Sequence, residues 1–243
     1  MNSSASAGGA IFYYGAGSFS VFNCTFTNSS ANKSGGAIYH TGAGNVSVVN
    51  CTFTNSSANK SGGAIFADGN AGSVTIVNSR FVNSSASAGH GGVISADGNV
   101  SVVNSSFVNS SAGNFGGVIS ADGNAGSVSV VNSSFVNSSA TGYGGVISAD
   151  GNVSVVNSSF VNSSATGYGG VISADGNAGS VSVVNSSFVN SSAGSYGVIS
   201  AQGSVSVVNS SFVNSSATGY GGVISAQGSV SVVNSSFVNS SAR

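Results

Sequence analysis

The motif Gly-Gly followed by Ala-Ile or Val-Ile returns along the whole chain. Cutting before each copy divides the sequence into coils that begin at Gly8, Gly35, Gly62, Gly91, Gly116, Gly144, Gly169, Gly197 and Gly221, the eighth with a single glycine. Successive starts lie 24 to 29 residues apart. A period of this size marks an array, because one short repeat cannot bury its apolar face alone and must stack on its neighbours. Residues 1–243 are therefore expected to form a single repeat domain.

Within a coil, stretches such as "SVSVV" alternate apolar and polar residues, which is strand periodicity, and the abundance of Val and Gly argues against helix. Each coil reads as about three short strands joined by turns. A leucine-rich repeat has a similar period but requires Leu, and this chain contains none. The expected fold is all-β: a right-handed parallel β-helix, a solenoid of about nine coils whose rungs lie about 4.8 Å apart, making a rod of roughly 43 Å. Identical residues then form columns. Phe26, Phe53, Phe81, Phe107, Phe135, Phe160, Phe188, Phe212 and Phe237 supply one, the Ile after each glycine pair a second, and pairs such as Val205 and Val207 a third. Length varies mainly at the turn after "ADGN", where some coils carry an extra "AGS", and just before Gly-Gly; insertions in turns leave a stack undisturbed.

Composition narrows the function. Hydrophobic residues make up 40% and charged residues 4%, against about 25% in an ordinary domain. Four basic and five acidic residues leave a net charge of -1, too few cations to track a phosphate backbone, so nucleic acid is not an expected partner. No apolar run approaches the roughly 20 residues of a membrane span, and no membrane insertion is expected. The opening "MNSSASAGGA" lacks the basic and apolar regions of a secretion signal.

"CTFTNSSANKSGGAIY" and its neighbours resemble the repeats of the chlamydial polymorphic outer membrane proteins, whose marks are GGA[ILV] and FxxN. The resemblance covers almost the whole chain and implies a right-handed β-helical passenger displayed at the cell surface, with a role in adhesion. GGAI stands at Gly8, Gly35 and Gly62 and becomes GGVI from Gly91, while Asn28 and its equivalents sit two residues after Phe rather than three.

Every carboxylate side chain, Asp68, Asp97, Asp122, Asp150 and Asp175, occupies one column at the "ADG" turn. Neighbours about 5 Å apart repel by roughly 1 kcal/mol in water. Bound Ca²⁺, raised pKa values or fanning into solvent would each relieve this, and turn-forming Asp-Gly without metal is the preferred reading. Cys24 and Cys51 share one position in adjacent coils, within disulfide reach at one end of the rod; the alternative is two small buried side chains. His40 and His90 read as turn residues. No serine lies in a nucleophile motif beside a base, and the scattered Lys33, Lys60, Arg80 and Arg243 do not assemble an acid-base cluster, so no catalysis and no cofactor are expected. His90, Phe115, Tyr143, Tyr168, Tyr196 and Tyr220 form an aromatic column before Gly-Gly, read chiefly as a stacked ladder and alternatively as a sugar-binding strip.

N-x-[ST] occurs 23 times. In a secreted eukaryotic protein each copy is a candidate glycan acceptor, although Asn also forms hydrogen-bonded ladders in stacked β-structure. Asn32, Asn45, Asn59, Asn99 and Asn152, in turns, are the preferred acceptors. Asn28, Asn55, Asn83, Asn109, Asn137, Asn162, Asn190, Asn214 and Asn239 follow, with the strand parity of these corners left open. No polar cap is evident, since "NSSASAGG" and "FVNSSAR" are both tails of a coil, which reads either as a fragment of a longer chain or as copies docking end to end. The expected function is a structural, extracellular, N-glycosylated rod that stacks head to tail on copies of itself into a filament. The alternatives are the passenger or stalk of a surface adhesin, or an ice-binding β-helix, against which stands the lack of a regular Thr-x-Thr array.

Overall fold

A computed structural model describes residues 2–69, 72–123, 126–176 and 178–243. Among them there is no helix; three parallel sheets wind as a solenoid of nine turns. One sheet holds nine strands from Ile11–Tyr14 to Ile224–Ala226, and a second holds nine from Phe19–Phe22 to Val230–Val233. The third holds sixteen, from Ser3–Ala5 to Ser241–Ala242, because most coils cross it as two short strands on either side of an asparagine. We call them the Ile, Val and Phe sheets. Registers pair identical residues of successive coils, as in Val128 with Val153 and Phe107 with Phe135. The "AGS" insertions do not disturb this register, as the pairing of Val153 with Val181 shows. Asn70, Ala71, Asn124, Ala125 and Asn177 of those insertions lie outside the described residues.

The three expected columns meet in one continuous core. Phe53 through Phe212 are fully buried, as are the inward Ile and Val residues of the second to eighth coils in the other sheets. Each ring lies 4.5 to 5.0 Å from the next. Burying such a side chain contributes about 1.5–3 kcal/mol, a gain that every coil repeats.

Two corners per coil are made by asparagine. Asn23, Asn50, Asn78 and their equivalents link the Val and Phe sheets with φ of 47 to 54°, and Asn28, Asn55, Asn83 and theirs bend the Phe sheet with φ of 52 to 55°. Asn is the non-glycine residue best suited to this left-handed region, since its short side chain bonds locally. Each such residue resets the strand phase. Val207 points inward and Asn209 outward, yet Ser210 and Phe212 are again inward; Asn214 is outward, and Ser215 and Ala217 are inward. Parity alone could not have placed these asparagines, because the phase changes at the residue itself.

The third corner is Gly-Gly. Gly144 has φ of 62°, and a Cβ on Gly145 would lie 2.1 Å from the Gly170 carbonyl oxygen of the next rung. The pair is thus required first for conformation and then for close approach of two backbones.

Candidate functional site

The chemistry of this chain lies in the rows that its columns draw along the outside. At the Phe-sheet bend, Asn28 Nδ2 donates to Asn2 Oδ1 at 3.0 Å, and the pattern continues through Asn55, Asn83, Asn109, Asn137, Asn162, Asn190 and Asn214 to Asn239, with spacings of 2.9 to 3.2 Å. This is an amide ladder along the rod. A glycan acceptor in it would have to carry its sugar from an amide that already donates and is flanked on both sides.

The turn asparagines differ. Asn45, Asn99 and Asn152 are exposed and use Oδ1 to accept the amides of Ser73, Ser127 and Ser180 at 3.1, 2.9 and 2.9 Å. That contact fixes the side chain and leaves Nδ2 facing away. Asn32 and Asn59 are also exposed. A further row outside the preferred acceptors, including Asn104, Asn132, Asn157, Asn185 and Asn209, is exposed and makes no side-chain hydrogen bond among the described residues. It lines a groove of about 1200 Å³ with the serines that follow it. Both rows read Asn-Ser-Ser in most coils, so the letters carry no signal that separates the laddered row from the open one.

Behind the open row runs a second ladder. Ser133 Oγ donates to the Val131 carbonyl at 2.8 Å and accepts the Ser105 amide at 3.1 Å, and Ser79, Ser105, Ser158, Ser186 and Ser210 repeat the pattern. Cys24 and Cys51 hold this position in the first two coils. Both are free thiols; Cys24 donates to the Phe22 carbonyl and Cys51 to that of Val49, and the Cys51 sulfur accepts the Cys24 amide at 3.3 Å. Burial pushes the Cys51 thiol up, which disfavours the reactive thiolate. By contrast, the buried hydroxyls of Ser56, Ser84, Ser110, Ser138, Ser163, Ser191 and Ser215, at the other bend, have no hydrogen-bond partner among the described residues.

On the outside of the Ile sheet, aromatic residues cover the rungs in two registers. In the first three coils the outward strand residue is itself aromatic, with Phe12 stacked on Tyr39 at 5.0 Å and Tyr39 tilted against Phe66 at the same distance. From the fourth coil that residue is Ser, and the ring comes from the position before Gly-Gly. Phe115 stacks on Tyr143 at 5.0 Å, and Tyr143 on Tyr168 at 4.7 Å. The expected ladder is therefore present, and it overlies serines such as Ser120 and Ser173 that are fully buried beneath it.

The histidines are not simple turn residues. His40 lies in the strand Ile38–Thr41, fully buried in the inward column that later coils fill with Ala67 and Ala96, and packs on Tyr13 at 5.2 Å. The glycines after it suggest a turn, but the turn begins one residue beyond the strand's Thr41. His90 starts the aromatic ladder, pairs through Nδ1 with Asp122 at 2.8 Å and meets Asn114 Nδ2 through Nε2 at 3.2 Å.

That hydrogen bond places the aspartate column opposite the aromatic one, across the serine row. Asp68 accepts the Tyr39 hydroxyl, Asp97 the Gly69 amide, Asp122 the Ser120 hydroxyl and Asp175 the Ser173 hydroxyl. No three His, Cys, Asp or Glu residues among the described ones group as a metal site. Instead, burial raises the pKa of Asp97, Asp150 and Asp175, with the charges of Asp68 and Asp122 adding to it at Asp97 and those of Asp122 and Asp175 at Asp150. A raised folded-state pKa means that the fold binds more protons than the unfolded chain between the two values. Stability is therefore fully present below the ordinary carboxylate value and falls as pH rises through the raised ones. Tm is expected to be higher at about pH 4 than at pH 7, and the difference to vanish when Asp97, Asp150 and Asp175 are all replaced by Asn. Thermal melts across that range check this, and a rod that is weaker at the acid end would contradict it.

These faces define the class of protein: a parallel β-solenoid whose side-chain ladders run from one end to the other. Compared with protein-family models, with curated proteins and with solved structures, the chain matches none.

Proposed function

We propose that the chain is a structural, extracellular rod that stacks on copies of itself, end to end, and carries N-glycans on its turn asparagines. One observation carries this reading. Val232 and Phe237 are 43% and 40% exposed, whereas Val207 and Phe212, one rung earlier, are fully buried. Each rung pairs identical residues with the next, as Val207 with Val232 and Phe212 with Phe237, so a core cross-section with unpaired strand edges is a surface that a further rung fits. The first rung offers the same columns through Val21 and Phe26, so the two faces are complementary and their contact is of the non-closing, head-to-tail type that builds fibres.

Assembly of the 243-residue chain is therefore expected to lengthen rods seen by electron microscopy beyond the single-chain length of roughly 43 Å. Val232→Lys, which puts a charge on the docking face, should block growth while circular dichroism stays that of the rod. A sedimentation mass of 23.2 kDa at every concentration would sink the self-stacking reading. For the glycans, peptide mass mapping after secretion from a eukaryotic host should find Asn99 and Asn152 occupied ahead of Asn109 and Asn137; the reverse order would overturn that assignment.

A further inference from the structure

We propose that the break in the aromatic ladder at the eighth coil is a binding site for a short, neutral oligosaccharide, with one sugar ring stacked at Tyr168 and Tyr196 and its hydroxyls held by Asp175 and Gln202. The starting point is a missing letter. The eighth coil alone reads Tyr-Gly-Val where the rest read Gly-Gly, and Gly197 has φ of 32°, against 59 to 69° for the first glycine of every other pair. The ring one residue upstream registers the change. Tyr143 and Tyr168 are parallel within 3°, whereas Tyr168 and Tyr196 meet edge to face at 80° with centroids 4.5 Å apart.

Turning the ring opens the surface beside it. A notch of about 380 Å³ lies between the aromatic and the Asp/Gln columns, lined by Tyr168, Tyr196, Asp175, Gln202, Ser200 and Gln227 among others. Under the regular ladder the outward serines are buried, yet Ser200 and Ser225 at the notch are only partly buried. The acidic column also changes here, Asp175 being its last carboxylate and Gln202 its first amide. The side chains of Gln202, Gln227, Ser200 and Ser225 make no hydrogen bond among the described residues, so their donors and acceptors face the notch or solvent.

The chemistry of the lining selects the ligand. One carboxylate and no basic residue suit neither a phosphate nor a sulfate. An aromatic face covers the C–H side of a pyranose ring, while a carboxylate accepts from its hydroxyls and a primary amide both donates and accepts. The volume is at the small end of ligand pockets, roughly 300–1,000 Å³, which fits one or two sugar rings. The notch lies on the side of the rod, so this site does not depend on end-to-end stacking.

Saturation-transfer NMR of the whole chain with maltose, cellobiose and chitobiose, each at about 1 mM, tests the site. At least one disaccharide should take up saturation through its ring protons. Its Kd should rise about tenfold or more in Tyr196→Ala, and equally in a variant with one glycine inserted between Tyr196 and Gly197, which restores the pair and closes the notch without removing a ring. The insertion keeps the test sharp even if the truncation perturbs the coil. No saturation of any of the three sugars, or binding that survives either change, overturns the proposal.

Discussion

Gly145→Ala is expected to split the rod. A Cβ there would lie 2.1 Å from the Gly170 oxygen and 2.4 Å from the Ser164 oxygen, and both are backbone atoms that no rotamer change can move. Relief requires the rungs to part locally by an ångström or more, which lengthens the bonds from Gly145 N to Gly169 O and from Val146 N to Val171 O, now 3.1 and 3.0 Å. Damage of this kind belongs to the rare class above about 4 kcal/mol. In a stacked array, stability is the sum of rungs and nearest-neighbour interfaces, so losing one interface uncouples the coils on either side. Calorimetry should then resolve two transitions where the parent has one, both below the parent Tm. Ser154→Ala, on the exposed side of the Val sheet, should change stability by less than about 0.5 kcal/mol. A single transition within about 1 °C of the parent in Gly145→Ala would refute this account of the glycine pair.

The repeat made the rung legible before any coordinate. Phe, Ile and Val return at matching places, stacking puts like on like, and the alternation within "SVSVV" fixes which residues face inward. The corners were not legible in the same way. Asn209 and Asn214 occupy the same local phrase, Asn-Ser-Ser, after Val-Val and Phe-Val, and both adopt positive φ. The second row meets its neighbours amide to amide, while the first opens on a groove. That difference comes from the separation and aim of side chains on adjacent rungs, which no single coil encodes. The cysteines illustrate a related limit. Cys24 and Cys51 line up as a stacked pair should, yet their position is that of a serine whose side chain accepts the amide of the rung before, and sulfur takes over that role. The missing glycine of the eighth coil was visible from the start, but its effect needs the ladder of rings as a ruler: only against the coplanar Phe115, Tyr143 and Tyr168 does the turn at Tyr196, which Tyr220 follows within 26°, mark a site.

Phe135→Ala and Phe237→Ala should differ sharply, although the two residues hold equivalent places in their coils. Phe135 is fully buried, with its ring 4.9 Å from both Phe107 and Phe160 and parallel to each within 2°. Truncation leaves a void that the rungs cannot close, because backbone hydrogen bonds above and below fix their spacing, and the expected cost is about 3–5 kcal/mol. Phe237 is 40% exposed and has one ring neighbour, Phe212 at 5.0 Å, so its truncation in dilute solution should cost about 1 kcal/mol. Denaturant unfolding of both variants measures the pair. Equal costs at low concentration would mean that the columns do not carry the stability. Raising the concentration adds a second comparison, because a copy docked on the last rung covers Phe237 with the next Phe26 and turns an end residue into a core residue. The cost of Phe237→Ala should then climb toward that of Phe135→Ala, whereas that of Phe135→Ala stays where it was.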